Sequence, residues 1–266
     1  MSYEKKIEFT KANIDFYLKE VAKEYRKQVG KNMPAEMILI GGASVLLNYG
    51  FRDMTTDIDA LIRAASAMKD AIRNVGNRFN LSPGWLNSDF RYTKSYTPKL
   101  VEFSVYYKTF YNVLSVRTIS SEYLIAMKLR AGRQYKNDLS DILGILAEHD
   151  KQGKPITMDK IQKAVTDLYG GWDSLSDGSR EFIENTLENG HYEQKYKEAI
   201  KREKDTKEFL IHFQETYPGI MKENNIDKII EDHQKRTNIA SMHESKEIIT
   251  DKEEKVKIKN DGDIDM

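Results

Sequence analysis

Apolar positions along this chain change period as they go, and the changes mark out the elements. From Phe9 to Val29 the residues Ile14, Leu18, Val21 and Tyr25 recur at helical spacing behind Thr10, a residue type that caps helices, so a helix is predicted there. Met37–Ile40 is a short apolar run of the kind that forms a buried strand. It stops at Gly41-Gly42, and 44–48 reads as a short helix after the glycine turn. A second strand is predicted over 57–62, and a helix over 67–79 on Met68, Ile72, Val75 and Phe79. Residues 100–106 and 113–116, rich in Val, Tyr and Phe, are further strand candidates. A helix from Ser121 carries Leu124, Met127 and Ala131 on one stripe. Another from near Asn137 carries Leu139, Ile142, Leu143 and Leu146.

After Gly153-Lys154-Pro155 the pattern is helical only, with stripes at Met158, Ile161, Val165 and Leu168 and again at Phe182, Ile183, Thr186 and Leu187. A long charged helical segment follows from His191 to Phe213. The fold class expected is therefore α/β (α+β). Residues 1–152 form a small mixed sheet of about four strands flanked by helices, 153–238 an α-helical accessory region, and 239–266 a charged disordered tail.

The acid–apolar–acid run Asp57-Ile58-Asp59 opens the second strand. In an extended chain residues i and i+2 share a face, which sets the two carboxylates ~7 Å apart on one side and turns Ile58 into the core. Two such carboxylates can hold a divalent cation, and a glycine turn lets backbone N–H groups approach a phosphate. The combination points to metal-assisted phosphoryl or nucleotidyl transfer. Asp263-Ile264-Asp265 repeats the same letters in a polar tail and shows how little the triplet means without its strand–Gly-Gly–helix setting. The plainer reading is that the two aspartates cap a strand end in water.

A third acidic ligand is expected, since two carboxylates leave most of a Mg²⁺ shell to water and substrate. Glu102, between Val101 and Phe103 in a strand-like run, is the candidate, with Asp89 in reserve. Lys128 borders a buried helical stripe, either snorkelling to water or facing a triphosphate or its leaving group. Asp138 and Asp141, three apart, share a helix face and could position Lys128 or stand on an exposed flank. Arg52, Arg130, Arg133 and Lys136 are candidates for a basic lip near the glycine turn, suited to nucleotide phosphates or an RNA backbone, against the default of solvated charges.

Composition narrows the classes. The chain has 266 residues, no net charge and no cysteine, so bulk attraction to polyanions, disulfide frameworks, thiolate metal sites and cysteine nucleophiles are all excluded. No apolar run approaches the ~20 residues that span a bilayer, and the charged start lacks the core of a secretion signal. A soluble cytoplasmic protein without a membrane partner is expected. The five histidines show no metal-ligand spacing.

Taken in order, Gly41-Gly42-x-Ser44, Gly50-Phe51-Arg52, Thr56-Asp57-Ile58-Asp59, Val101-Glu102-Phe103, the Ser121–Ala131 helix with Lys128, and Lys136-Asn137-Asp138-x-x-Asp141 resemble the nucleotidyltransferase superfamily of the DNA polymerase β type. The likeness is greatest to its abortive-infection, type IV toxin-like branch and uncharacterised relatives, and covers roughly residues 35–146. The resemblance implies Mg²⁺ or Mn²⁺ held by Asp57, Asp59 and Glu102. It also implies an NTP whose phosphates meet Gly41, Gly42, Ser44 and Arg52, and Lys128 with Asp138 and Asp141 beside them. A tRNA or protein acceptor, and a toxin–antitoxin or phage-defence setting with a neutralising antitoxin, are implied as well. Glu stands where the branch has Asp for the third acid, and Asn137 where a cation is common. The competing expectation is a catalytically silent relative that binds nucleotide or a partner protein.

Overall fold

A computed structural model of the chain describes residues 7–133, 136–222 and 225–236. These divide into two units, one of residues 7–133 and 137–200, the other of Lys136 with 201–222 and 225–236. The expected disordered stretch from 239 lies outside the described residues.

The first unit begins with strand β1 (Phe9–Thr10) and helix α1 (Ile14–Val29). The helix starts later than its apolar spacing suggested. Thr10 is no cap: its amide donates to the Asn13 side chain at 2.8 Å, and Phe9 is buried from a strand. Next come β2 (Ala35–Leu39), α2 (Gly41–Asn48), β3 (Met54–Thr55), β4 (Ile58–Arg63) and α3 (Ala67–Arg78). A two-residue strand β5 (Leu86–Asn87) follows, then 3-10 turns at Asp89–Tyr92 and Pro98–Val101, β6 (Ser104–Phe110) and β7 (Leu114–Ile119). Helices α4 (Ser121–Ala131), α5 (Asp138–Lys151), α6 (Met158–Tyr169) and α7 (Asp177–Asn189) complete it, with the start of α8 (Tyr192–Thr216).

Five strands make one mixed sheet in the order β5-β4-β2-β7-β6, and β1 pairs with β3 in a separate ribbon. The central strand β2 is antiparallel to β4, with Leu39 opposite Ala60, and parallel to β7, with Met37 opposite Val116. Alternation along the strands builds two cores. Met37, Leu39, Ile58 and Ala60 pack on the α1–α3 side with Leu18, Val21 and Val75. Ile38, Ile40 and Leu61 pack on the other side with Leu124, Ile125, Ile142 and Ile145. Ile161, Val165, Leu168 and Ile183 of α6 and α7 join this second core, so both helices contribute to the first unit.

In the second unit the Phe209 ring stacks on His233 at 3.7 Å, and Phe213 meets Tyr217 at 5.1 Å. No helix among the described residues is long and apolar enough to cross a membrane.

Candidate active site

The sheet's alternation decides where the carboxylates face. Ile58 and Ala60 enter the α1–α3 core, so Asp59 shares its face with Leu61, on the side covered by α4 and α5. Asp57 precedes the strand in a bend, and its carbonyl accepts from the Thr55 hydroxyl at 3.1 Å. It is exposed, whereas Asp59 is half-buried.

The turn at Gly41-Gly42 lies against this strand end. The Ile40 amide donates to the Asp59 carbonyl at 2.9 Å, and a Cβ on Gly41 would stand 3.8 Å from the Asp59 carboxylate. Gly41 has φ +57, a backbone that L side chains rarely adopt. A Cβ on Gly42 would sit 2.8 Å from Nη2 of Arg52 and 2.9 Å from Oγ1 of Thr55, so only glycine admits that guanidinium here. The helix that follows is pinned from behind. Ser44, fully buried, accepts the Ile119 amide on Oγ at 3.0 Å, and Asn48 donates to the Ile119 carbonyl at 2.9 Å. Ser44 thus holds α2 to the end of β7 and faces the core.

Arg52 is the outer member of an ion network. Its Nη1 lies 2.6 Å from each Asp141 oxygen, and its Nε donates to the Met54 carbonyl at 3.1 Å. Asp141 also meets Lys128 Nζ at 2.6 Å, and Lys128 reaches Asp138 at 2.9 Å. Arg133 closes the other end on Asp138, again at 2.9 Å. Lys128, Asp138 and Asp141 are all buried, which only mutual pairing allows. Burial alone would depress the Lys128 ammonium, but Asp138 and Asp141 outweigh it and raise its pKa. Burial likewise works against the Asp138 carboxylate, and the Lys128 and Arg133 charges reverse this, lowering it to about 2. Lys128 therefore connects to the glycine turn through Asp141 and Arg52. Of the four residues expected to form a basic lip, Arg52 and Arg133 are paired with buried carboxylates. Arg130 lies over the Tyr169 ring at 5.7 Å, and Lys136 belongs to the second unit.

Glu102 corrects the strand expected over 100–106. Pro98 opens a 3-10 turn that runs to Val101, Glu102 follows it in helical geometry and exposed, and the strand starts only at Ser104. That strand, β6, is three places from β4 in the sheet, or ~14 Å at the usual strand spacing. Among the described residues no three His, Cys, Asp or Glu side chains are grouped to hold a metal ion. The residue beside Asp59 is instead Asn87, its register partner on β5, and the Asn87 side chain accepts the Asp89 amide at 2.8 Å. Asp89 itself is exposed. Asn87 carries no signal in the sequence, because a two-residue strand is too short to show a period.

Two aspartates and a neighbouring amide are hard oxygen donors, and Mg²⁺ is commonly held by one or two carboxylates with substrate phosphates and water completing the shell. Asp59, at the glycine turn, and exposed Asp57, two residues before it, are donors of this kind. The arrangement thus sets acidic oxygens, a glycine turn at a helix start and a fixed guanidinium side by side, which is what a polyphosphate with its cation requires.

Neither the curated proteins nor the solved structures give a match to this chain. The model of the DUF6036 family, described as nucleotidyltransferases of unknown function, matches residues 17–204. With well over half of its length inside that match, the chain belongs to this family of nucleotidyltransferases.

Proposed function

We propose that the protein transfers a nucleoside monophosphate from an NTP to a hydroxyl of an RNA, such as tRNA, or of a protein. One observation carries the reading: the Asp59 carboxylate and the Arg52 guanidinium flank the same diglycine turn. The α2 amides and Arg52 bind and orient the β- and γ-phosphates, so that charge on the departing pyrophosphate is met by a cation already in place. The acceptor oxygen bonds to the α-phosphorus, the bond to the β-phosphate bridging oxygen breaks, and Asp59 takes the hydroxyl proton. Mg²⁺ or Mn²⁺ held by Asp57 and Asp59 would supply further neutralisation of phosphate charge when bound. Lys128, Asp138 and Asp141 act behind this layer, keeping Arg52 aimed. Glu102 has no part in it.

The protein is to be incubated with each α-labelled NTP, Mg²⁺ or Mn²⁺, and total tRNA or itself. Labelling is expected with the native chain and not with Asp57→Ala/Asp59→Ala. Label that survives the double substitution overturns the site.

A second reading is favoured by the lack of a third grouped carboxylate among the described residues: a silent relative that binds nucleotide without transfer. It predicts NTP binding by titration calorimetry with no acceptor labelled under any condition. The toxin role rests on the abortive-infection likeness. It predicts growth arrest on expression, abolished by Asp59→Ala.

A further inference from the structure

From Phe90 to Val101 the chain has no acidic residue, while Arg91, Lys94 and Lys99 are cations. This strap leaves β5 directly after Asn87, the neighbour of Asp59, and is tied down along its length. Arg91 Nη2 donates to the Ile62 carbonyl of β4 at 3.3 Å. Arg130 Nε of α4 donates to the Lys94 carbonyl at 3.4 Å, and the Tyr169 hydroxyl of α6 to the Ser95 carbonyl at 2.8 Å. Phe90 and Tyr96 pack against the α4–α5 core and meet each other edge to face at 6.2 Å, and Ser95 and Thr97 are buried. What the strap turns outward is therefore a continuous run, Arg91-Tyr92-Thr93-Lys94, all four exposed.

Tyr92 is 90% exposed and makes no ring contact among the described residues. Arg91 and Lys94 make no ion pair there. An aromatic face on a fixed backbone, with a cation on either side and one exposed acid, Asp89, at the start of its turn, is what stacks an unpaired base and receives its flanking phosphates. A protein acceptor would call for an apolar groove or acid–base complementarity, and the strap has neither.

Its position fits delivery to the carboxylates. The strap runs beside β4 from Asp59 to Ile62, a distance of ~10 Å at strand rise, so a strand stacked on Tyr92 brings its end to Asp57 and Asp59. We propose that residues 91–94 are the platform for a single-stranded nucleic-acid end, Tyr92 stacking one base and Arg91 and Lys94 contacting phosphates. The use of that strand as acceptor rests on the transferase reading. The binding itself does not.

The test is fluorescence anisotropy of the full chain with a short labelled single-stranded RNA, the same sequence as DNA, the duplex, and an acidic peptide. Single strands are expected to bind better than duplex or peptide, and the RNA and DNA arms tell which backbone is preferred. Tyr92→Ala should weaken binding about tenfold and Tyr92→Phe should retain it, in line with stacking. Lys94→Gln should reduce the salt slope by about one. ATP affinity should be unchanged in all three variants. No binding by the native chain, a preference for the peptide, or full binding by Tyr92→Ala overturns the platform. Strand binding through Tyr92 with no nucleotide transfer leaves the platform and removes the transferase. Transfer with an acceptor KM untouched by Tyr92→Ala does the reverse.

Discussion

Arg52 and Asp141 are 89 residues apart in the chain, yet one guanidinium nitrogen sits 2.6 Å from both oxygens of that carboxylate. The same carboxylate takes the buried Lys128 ammonium at 2.6 Å, so a single side chain neutralises the cation at the glycine turn and the cation behind it. Asp141→Asn takes from Arg52 its carboxylate partner and from Lys128 one of two, leaving Lys128 on Asp138 at 2.9 Å. Breaking a buried ion pair from one side costs ~3 to 5 kcal/mol. The unfolding midpoint in urea is expected to fall accordingly with the slope unchanged, and ATP affinity to fall with it.

Gly42→Ala tests the closeness of Arg52 to the turn. The added methyl must displace the guanidinium or the Thr55 hydroxyl, at ~1 to 3 kcal/mol for overpacking. ATP binding by calorimetry is expected to weaken about tenfold, the 1.4 kcal/mol of one lost charge-assisted contact. Gly50→Ala is the control. Nothing lies within 4 Å of its Cβ position, and its stability should stay within ~1 kcal/mol of native.

Acid should act through Asp138. Its folded carboxyl is lowered from 3.8 to about 2 by Lys128 and Arg133, overcoming burial. A carboxyl lowered by folding stabilises the protein above its unfolded pKa, and that contribution disappears as pH falls through the folded value. Melting temperature should therefore drop between about pH 4 and pH 2, and Asp138→Asn should be less stable at pH 7 with a flatter decline over that window.

Phe51, next to Arg52, is held by its neighbours. Its ring lies where a Cβ on Gly144 of α5 would be, and meets Tyr196 of α8 edge-on at 5.5 Å. The Tyr196 hydroxyl donates to the Phe51 carbonyl at 2.8 Å. Tyr196→Phe removes that bond while keeping the ring and should cost about 1 kcal/mol. Amide hydrogen exchange should quicken over residues 50–54 and stay as in the native protein in β2 and β7.

Legibility in the sequence followed the range of the interactions. Helices α3, α4 and α5 were readable because Met68, Val75, Leu124, Ile142 and their neighbours repeat locally. The glycine turn and the two aspartates were readable because β2, α2 and β4 are consecutive. Val101-Glu102-Phe103 misled because alternate apolar residues imitate a strand. Here the two hydrophobic side chains pack against the core from a turn begun by Pro98. The apolar spacing places Phe9 in a helix because its strand partner, Thr55, is far along the chain. Lys128, Asp138 and Asp141 could be named as a local set, but that Arg52 joins them is a property of the folded sheet. The same holds for Asn87 beside Asp59.

The ion network also orders events during synthesis. A ribosome-bound chain that has emerged as far as Ile119 already owns every strand of the five-stranded sheet. Its Arg52 still lacks a counter-charge, because Asp141 is on a helix not yet made. The proposed phosphate cradle is therefore the last part of the sheet's surroundings to gain its full set of ion pairs, and chains that stop before α5 are expected to bind ATP more weakly than the full chain.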